Sequence, residues 1–248
     1  MKAMVLAAGL GTRLRPLTDS RPKALVEVAG RTLLEITLER LRAFDIRDVI
    51  INAYHFADQI LDYLKENQNF GMRIEVSCED VLLDTGGGLK NTAHFFLADP
   101  GSASEPFILH NVDVISTVDL NRMIQTHRAS GALATLAVQN RQTSRYLLFD
   151  QRMRLCSRRS VGDGKENLVR ASQATQALAF CGIHVISPRI FSLMTEEGAF
   201  SIIDAYLRLT SAGEKIAAFC ADQYYWRDLG RPELVQQASE DLKSGTLH

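Results

Sequence analysis

The strongest constraint in this sequence is a change of hydrophobic period that repeats along its first half. Ala3–Leu6 is a short continuous apolar run, whereas Leu33–Leu41 carries its apolar residues at helical spacing. Val49–Ile51 is strand-like again, Phe56–Leu64 helical and Ile74–Ser77 extended; then come helical Gly88–Phe96, the apolar strand Phe107–Leu109, helical Leu120–His127 and the strand Leu133–Val138. Buried strands joined by amphipathic helices demand parallel pairing and right-handed crossovers. The expected fold class is therefore α/β, doubly wound, with a mainly parallel mixed sheet and helices on both faces. The second half is less regular. Tyr146–Phe149, Met153–Cys156 and Ala179–Ile186 look like strands of a mixed sheet, Ile202–Leu209 is helical, Ile216–Phe219 extended and Glu233–Leu242 a closing helix. Neither an internal repeat nor a low-complexity linker interrupts the chain. One domain over residues 1–248 is expected, with an inserted subregion around 140–180 and a loop at Gly162-Asp163-Gly164-Lys165.

Composition narrows the function class. A hydrophobic share of 46% suffices for a buried core, and no apolar run approaches the roughly 20 residues of a spanning helix. The apolar start Met1–Ala8 runs into Gly9 and not into a cleavage site, so it reads as a buried strand, not a signal peptide. Cys78, Cys156, Cys181 and Cys220 form no C-x-x-C pair, which argues against a zinc site and suits reduced thiols in the cytoplasm. A net charge of −1 argues against nucleic acid as a partner. Charge is uneven, however: residues 1–31 hold six basic groups (Lys2, Arg13, Arg15, Arg21, Lys23, Arg31) against Asp19 and Glu27. Such an excess suits a small anion.

The segment after the first strand, Ala7-Ala8-Gly9-Leu10-Gly11-Thr12-Arg13-Leu14-Arg15-Pro16-Leu17-Thr18, is where an open α/β sheet receives its ligand. Glycines let successive N–H groups approach phosphate oxygens. Gly9-x-Gly11 begins a dinucleotide fingerprint, but Leu14 stands where its third glycine belongs, and the Gly-Lys-Ser/Thr of a P-loop is absent. What remains is a basic glycine loop followed by Pro22-Lys23. Asp113 after Phe107–Leu109 and Asp228 after Tyr224-Tyr225-Trp226 are carboxylates at the ends of extended runs. Hard oxygen donors of this kind suit magnesium beside phosphate, although a lone aspartate at such a place is more often a cap or a loop bond. The six histidines (His55, His94, His110, His127, His184, His248) show no metal spacing, Trp226 reads as packing, and Arg152, Arg154, Arg158 and Arg159 read as one solvated hairpin face.

Residues 5–34, with Val5–Gly9, Gly11-Thr12-Arg13, Pro16-Leu17-Thr18, Pro22-Lys23 and Val28-Ala29-Gly30, resemble the signature of sugar-1-phosphate nucleotidyltransferases. The resemblance continues at Asp84–Gly88, Asn111-Val112-Asp113, Phe180–Ile183 and Trp226–Gly230. It implies transfer of a nucleotidyl group from a nucleoside triphosphate to a sugar 1-phosphate, with release of pyrophosphate. UTP is the preferred nucleotide and GTP the second. The implied catalytic residues are Arg13 and Lys23. Ala7, Ala8, Gly9, Gly11, Thr12, Arg13, Gly86 and Gly87 would bind the nucleotide, and Asp113 and Asp228 would bind Mg2+. A sugar-binding subregion around residues 140–230 would include Gly182. The partners are the two substrates alone, with no membrane, in a monomer or homodimer. Two departures stand out. Val112 replaces the glycine usual before the metal aspartate, and no Glu-Lys-Pro supplies the usual sugar-phosphate lysine; Lys165-Glu166 has the wrong order. The segment Asn140–Tyr146 is the expected substitute, with Arg145 favoured over Arg141 because it directly precedes a strand and would be better fixed. Hexapeptide repeats, which build a β-helix in larger relatives, are absent. A regulator that binds nucleotide sugars without turnover and a glycosyltransferase of related fold are the competing readings.

Overall fold

The computed structural model describes residues 1–98, 104–162, 164 and 166–244. The chain runs β1 (Lys2–Leu6), β2 (Glu27–Val28), β3 (Arg31–Thr32), α1 (Leu33–Ala43), β4 (Asp48–Ala53), α2 (Ala57–Glu66) and β5 (Arg73–Cys78). α3 (Asp84–Asn91), α4 (Ala93–Leu97), β6 (Phe107–Asn111), β7 (Val114–Ser116), α5 (Leu120–Ser130), β8 (Ala134–Gln139), β9 (Arg145–Phe149) and β10 (Leu155–Ser160) follow. The rest is β11 (Glu166–Leu168), β12 (Gln176–Ile186), α6 (Ile190–Leu193), α7 (Ile202–Ser211), β13 (Ile216–Cys220), β14 (Trp226–Asp228) and α8 (Pro232–Lys243). These elements form two compact units that interleave in sequence. The first holds the described residues of Met1–Asp84, Leu109–Val118 and Tyr224–His248, the second those of Thr85–Ile108 and Asp119–Gln223.

In the first unit β1 pairs in parallel with β4, and β4 with β5. Ala3, Met4, Val5, Val49, Ile50 and Ile51 are fully buried, as strands covered on both faces must be. β5 ends the row and alternates in exposure instead. α1 starts where Thr32 accepts the Glu35 amide at 3.0 Å, and it buries Leu33, Leu34, Ile36, Leu38 and Leu41. Across the corner after β6, the short β7 pairs antiparallel with β14, so Asp228 stands opposite Val114.

The second unit is the mixed part. β8 lies between β12, antiparallel to it, and β13, parallel to it. β12 is long enough to pair also with β9 through Gln176–Ala179, and β9 pairs with β10, β10 with β11. Its register shifts between Phe180 and His184, around Gly182 at φ 74°.

The α/β class is as the periodicity implied, but several boundaries moved. The helix expected at Gly88–Phe96 begins at Asp84 despite its glycines, because Gly86 and Gly87 both donate to the Phe200 carbonyl, at 2.8 and 3.3 Å. It breaks at Thr92, whose amide and hydroxyl turn back onto the Leu89 carbonyl. The strand expected at Met153–Cys156 starts only at Leu155. Asp150 Oδ1 accepts the amides of Arg152 and Arg154 at 2.9 and 2.8 Å, closing a turn in which Met153 takes φ 54°. Of the expected loop 162–165, Asp163 and Lys165 lie outside the described residues, as does His248. Among the described residues no helix is long and apolar enough to cross a membrane, and all four cysteines are free.

Candidate active site

β1 delivers the chain into the glycine loop. Ala7 and Ala8 are buried, whereas Gly9 and Leu10 are exposed. Gly11 takes φ 63°, and a Cβ there would stand 2.9 Å from Thr18 Cγ2, so the turn requires glycine. The Gly11 carbonyl accepts both the Leu14 amide and the Thr18 hydroxyl at 2.8 Å. With Leu14 buried as the pin, the turn Thr12–Leu14 leaves Thr12 and Arg13 outward. A cavity of about 280 Å³ follows, lined by Gly9, Leu10, Gly11, Thr12, Arg13, Lys23, Leu82 and Gly230. Gly9, Gly11, Thr12, Arg13 and Lys23 are thus brought together, as the sequence suggested. Ala7 and Ala8 are not among the lining residues. The Ala7 amide is donated inward, to Asn52 Oδ1 at 2.8 Å.

Lys23 opens a single helical turn behind Pro22, and its Nζ pairs with Asp113 Oδ2. Asp113 sits in the corner between β6 and β7. Its carbonyl accepts the Leu229 amide at 2.8 Å, which ties that corner to the end of β14 and brings Asp228 alongside. Asp228 Oδ1 accepts the Gly230 amide at 2.8 Å. A Cβ on Gly230 would lie 2.7 Å from that oxygen and 2.9 Å from Arg13 Nη2, so glycine here lets carboxylate and guanidinium close over the backbone. Burial, and next the charge of Asp113, hold the Asp228 carboxyl above the usual aspartate range; Lys23, the Gly230 amide and Arg13 oppose that rise. Two carboxylates that repel each other, flanked by two cations, can share a divalent ion while the cations take phosphate oxygens. Among the described residues no group of three or more His, Cys, Asp or Glu forms a complete protein cage. A two-carboxylate set leaves the remaining coordination to water and phosphate, the usual condition for magnesium.

Three other basic groups of the first 31 residues are paired away from the cavity: Arg15 with Asp19, Arg21 with Glu27 and Arg31 with Glu39. Arg13 and Lys23 are the two basic groups of this segment that line the cavity. Val112, the departure before Asp113, is 3% exposed and donates its amide to the Leu6 carbonyl, so its side chain belongs to the core.

The remaining site residues lie in the second unit. Gly86 packs against Phe200, whose ring would be 2.4 Å from an added Cβ, and its amide and that of Gly87 face the Phe200 carbonyl. Gly182 is buried in the bulge of β12. The reason given for Arg145 over Arg141 is reversed. Arg145 is exposed at the first residue of β9, whereas Arg141 is half-buried and donates to the Phe180 carbonyl at 2.8 Å. Nor do the four hairpin arginines share a face. Arg158 and Arg159 alternate along β10 and pair with Asp204 and Glu166 respectively, while Arg152 lies in the turn before it. Three residues escaped the sequence reading: Asn52, Glu79 and Leu82. The available signal was a polar residue, Asn52, ending the apolar run Val49–Ile51.

The chain matches the family model for nucleotidyl transferases over residues 2–245. It is 33% identical to the N-acetylmuramate alpha-1-phosphate uridylyltransferase of Caulobacter vibrioides, covering 97% of this chain and 96% of that protein. It is 29% identical to the mannose-1-phosphate guanylyltransferase of Mycobacterium tuberculosis, over 98% of this chain and 65% of that one. In structure it is similar to HddC from Yersinia pseudotuberculosis complexed with GMP-PN, with a TM-score of 0.76 at 22% identity over 97% of this chain and 99% of that one. A UDP-glucose pyrophosphorylase complexed with UDP-glucose gives a TM-score of 0.78 at 17% identity, with 98% of each chain covered. The glycine loop, the paired aspartates and a family match spanning nearly all residues agree: this chain belongs to the nucleotidyl transferase family, among the sugar-1-phosphate nucleotidyltransferases.

Proposed function

We propose that this chain transfers a uridylyl group from UTP to a sugar 1-phosphate in a magnesium-dependent reaction that releases pyrophosphate. The observation that carries this reading is the convergence of Arg13, Lys23, Asp113 and Asp228 at one cavity edge of the first unit. The preference for UTP over GTP rests on similarity over nearly the full length of the Caulobacter vibrioides uridylyltransferase.

The reaction asks little covalent help of the protein. A phosphate oxygen of the sugar attacks the α-phosphorus, that P–O bond forms, and the bond to the leaving pyrophosphate breaks in line. Both reactants are anions, so the protein must neutralise repulsion and impose geometry. Arg13 offers a planar guanidinium suited to the pyrophosphate oxygens, and Lys23 a point charge for the reacting phosphate. Gly9, Gly11 and Thr12 bring backbone and hydroxyl groups to the triphosphate. Asp113 and Asp228 would hold magnesium, which would supply Lewis-acid activation of the α-phosphorus. In the structure Lys23 pairs with Asp113, and the same ammonium would serve phosphate once Asp113 held a cation.

Pyrophosphate release measured for four nucleoside triphosphates against several sugar 1-phosphates tests the reading. Turnover with UTP and one sugar phosphate is expected, lost on chelation. A tenfold higher specificity constant for GTP reverses the base preference. Nucleotide binding without turnover, or sugar transfer from a nucleotide sugar, replaces the reading.

A further inference from the structure

A chain of buried polar groups runs beneath the cavity in the first unit. Asn52, near the end of β4, is 3% exposed, and Glu79, just after β5, is 7% exposed. The Ala7 amide donates to Asn52 Oδ1 at 2.8 Å, Asn52 Nδ2 donates to Glu79 Oε1 at 2.7 Å, and the Leu83 amide donates to Glu79 Oε2 at 3.1 Å. The Glu79 amide itself extends the β4–β5 pairing onto the Ala53 carbonyl at 2.8 Å, which fixes the backbone from which the carboxylate projects.

The polarity of this relay is determined at both ends. A backbone N–H only donates, so the Ala7 amide requires the oxygen of Asn52 to face it. The Asn52 nitrogen is thereby turned towards residue 79. The Leu83 amide approaches residue 79 from the other side, again as a donor. Residue 79 must accept twice, through two different oxygens, and only a carboxylate of this length does so. The relay touches neither Lys23 nor the aspartates. It ends instead on two backbone positions in the segments that lead to the cavity walls. Ala7 leads directly into Ala8-Gly9, and Gly9, Leu10 and Gly11 line one wall; Leu83 adjoins Leu82, which lines another. Leu10 and Leu82 are exposed at 46% and 39%, apolar surfaces suited to the faces of a flat base.

We propose that Asn52 and Glu79 are positioning residues for the nucleotide: by joining the Ala7 amide to the Leu83 amide they set the spacing between the glycine loop and Leu82. The proposal rests on the nucleotide reading of this cavity. It requires that the pattern of donors and acceptors matters, not the identity of either side chain, and so it can be tested by exchanging them. In Asn52→Asp the new carboxylate meets that of Glu79, acceptor against acceptor. In Glu79→Gln one oxygen must serve two donors. With both substitutions together the relay closes again: the new aspartate accepts from Ala7 and from the new glutamine nitrogen, whose oxygen accepts from Leu83. Charge and length are unchanged from the parent.

The four proteins are titrated with UTP and with GTP by calorimetry below their melting temperatures, and KM is measured for nucleotide and for sugar phosphate. Each single variant should bind its nucleotide about tenfold or more weakly, with the sugar-phosphate KM within about twofold, and the double variant should return to within about threefold of the parent. If a single variant does not fold, a folded double variant with near-parental nucleotide affinity still supports the relay. A double variant as weak as the singles overturns it, as does a pair of single variants that lose thermal stability but bind nucleotide within about twofold of the parent. A parent protein that binds neither nucleotide overturns the nucleotide reading itself, and the proposal with it.

Discussion

Asp228 shows how much the site asks of single residues. Its carboxyl is held above the usual range by burial and by Asp113, which is an arrangement that favours a bound cation and disfavours the metal-free fold. Asp113→Asn and Asp228→Asn should each lower turnover by at least ~100-fold, about 2.7 kcal/mol of transition-state stabilisation. Steady-state pyrophosphate release in saturating magnesium measures this, and full activity in both variants refutes the metal assignment. Stability should move the other way. For a carboxyl whose folded pKa is raised, the folded state binds more protons than the unfolded one, so stability declines as pH rises from the ordinary aspartate range through the raised value. Ionising Asp228 therefore costs the metal-free protein stability. Asn keeps the oxygen that accepts the Gly230 amide at 2.8 Å but carries no charge. Thermal melts in chelator at neutral pH should show a higher Tm for Asp228→Asn than for the parent, and a lower one would mean that attraction to Lys23 and Arg13 prevails. At this scale the sequence singled out Arg13, Lys23, Asp113 and Asp228 by residue type, and the structure places them together. It was silent on Glu79, because an acidic residue after a strand has the same composition whether it faces water or a buried amide.

The element that positions Asp228 is slight: β14 has three residues and pairs only with β7. Its other support comes from α8. The Arg227 guanidinium bonds the Tyr225 hydroxyl at 2.8 Å, Gln237 Oε1 at 2.5 Å and Asp241 Oδ2 at 2.7 Å, and Tyr225 donates to the same Asp241 oxygen at 2.6 Å. The Tyr225 hydroxyl and the Arg227 guanidinium both donate to Asp241, whose carboxyl lies below its usual range, first through the Tyr225 bond and then through Arg227. Arg227→Ala should free β14 from α8 and, on the proposed role of Asp228, raise the magnesium concentration for half-maximal turnover about threefold or more, since binding would then have to order the strand. An unchanged magnesium requirement would show that β7 alone suffices. Such elements were the least legible in the sequence. α1 and α7 carry helical periodicity, β1 and β4 are compact apolar runs buried on both faces, and each was found within two residues of its expected span. β7 and β14 are three residues each, too short for any period, and their pairing joins segments more than a hundred residues apart. The early start of α3 was hidden for a related reason. Glycines argue against a helix locally, and what permits one there is the Phe200 carbonyl, distant in sequence.

At the scale of the molecule, the sequence conveyed an α/β fold and the second half's mixed pairing but not the partition into two interleaved units. Contiguous periodicity cannot reveal that Leu109–Val118 and the stretch from Tyr224 return to the first unit. The partition divides the candidate residues. Arg13, Lys23, Asp113 and Asp228 belong to the first unit, whereas Gly182 and the segment Asn140–Tyr146 belong to the second. A sugar phosphate carries up to two negative charges, and with Lys23 assigned to the nucleotide in the proposed reaction a second cation should face it. Two arginines of that segment are available, and the structure distinguishes them. Arg145 is exposed and must lose side-chain freedom to bind. Arg141 is half-buried, its Nη2 bonded to the Phe180 carbonyl two residues before Gly182, so its guanidinium is already oriented. A preorganised cation binds a dianion with less entropic loss. Arg141→Ala should therefore raise the KM for sugar phosphate about tenfold or more, near 1.4 kcal/mol, and Arg145→Ala should raise it less, with the nucleotide KM within about twofold in both. A larger effect at Arg145 would mean that the exposed arginine closes onto the substrate and that Arg141 serves only the β12 bulge. If both variants keep the parental sugar-phosphate KM within twofold, the segment is not the anchor, and Arg158, now paired with Asp204, is the next cation to replace.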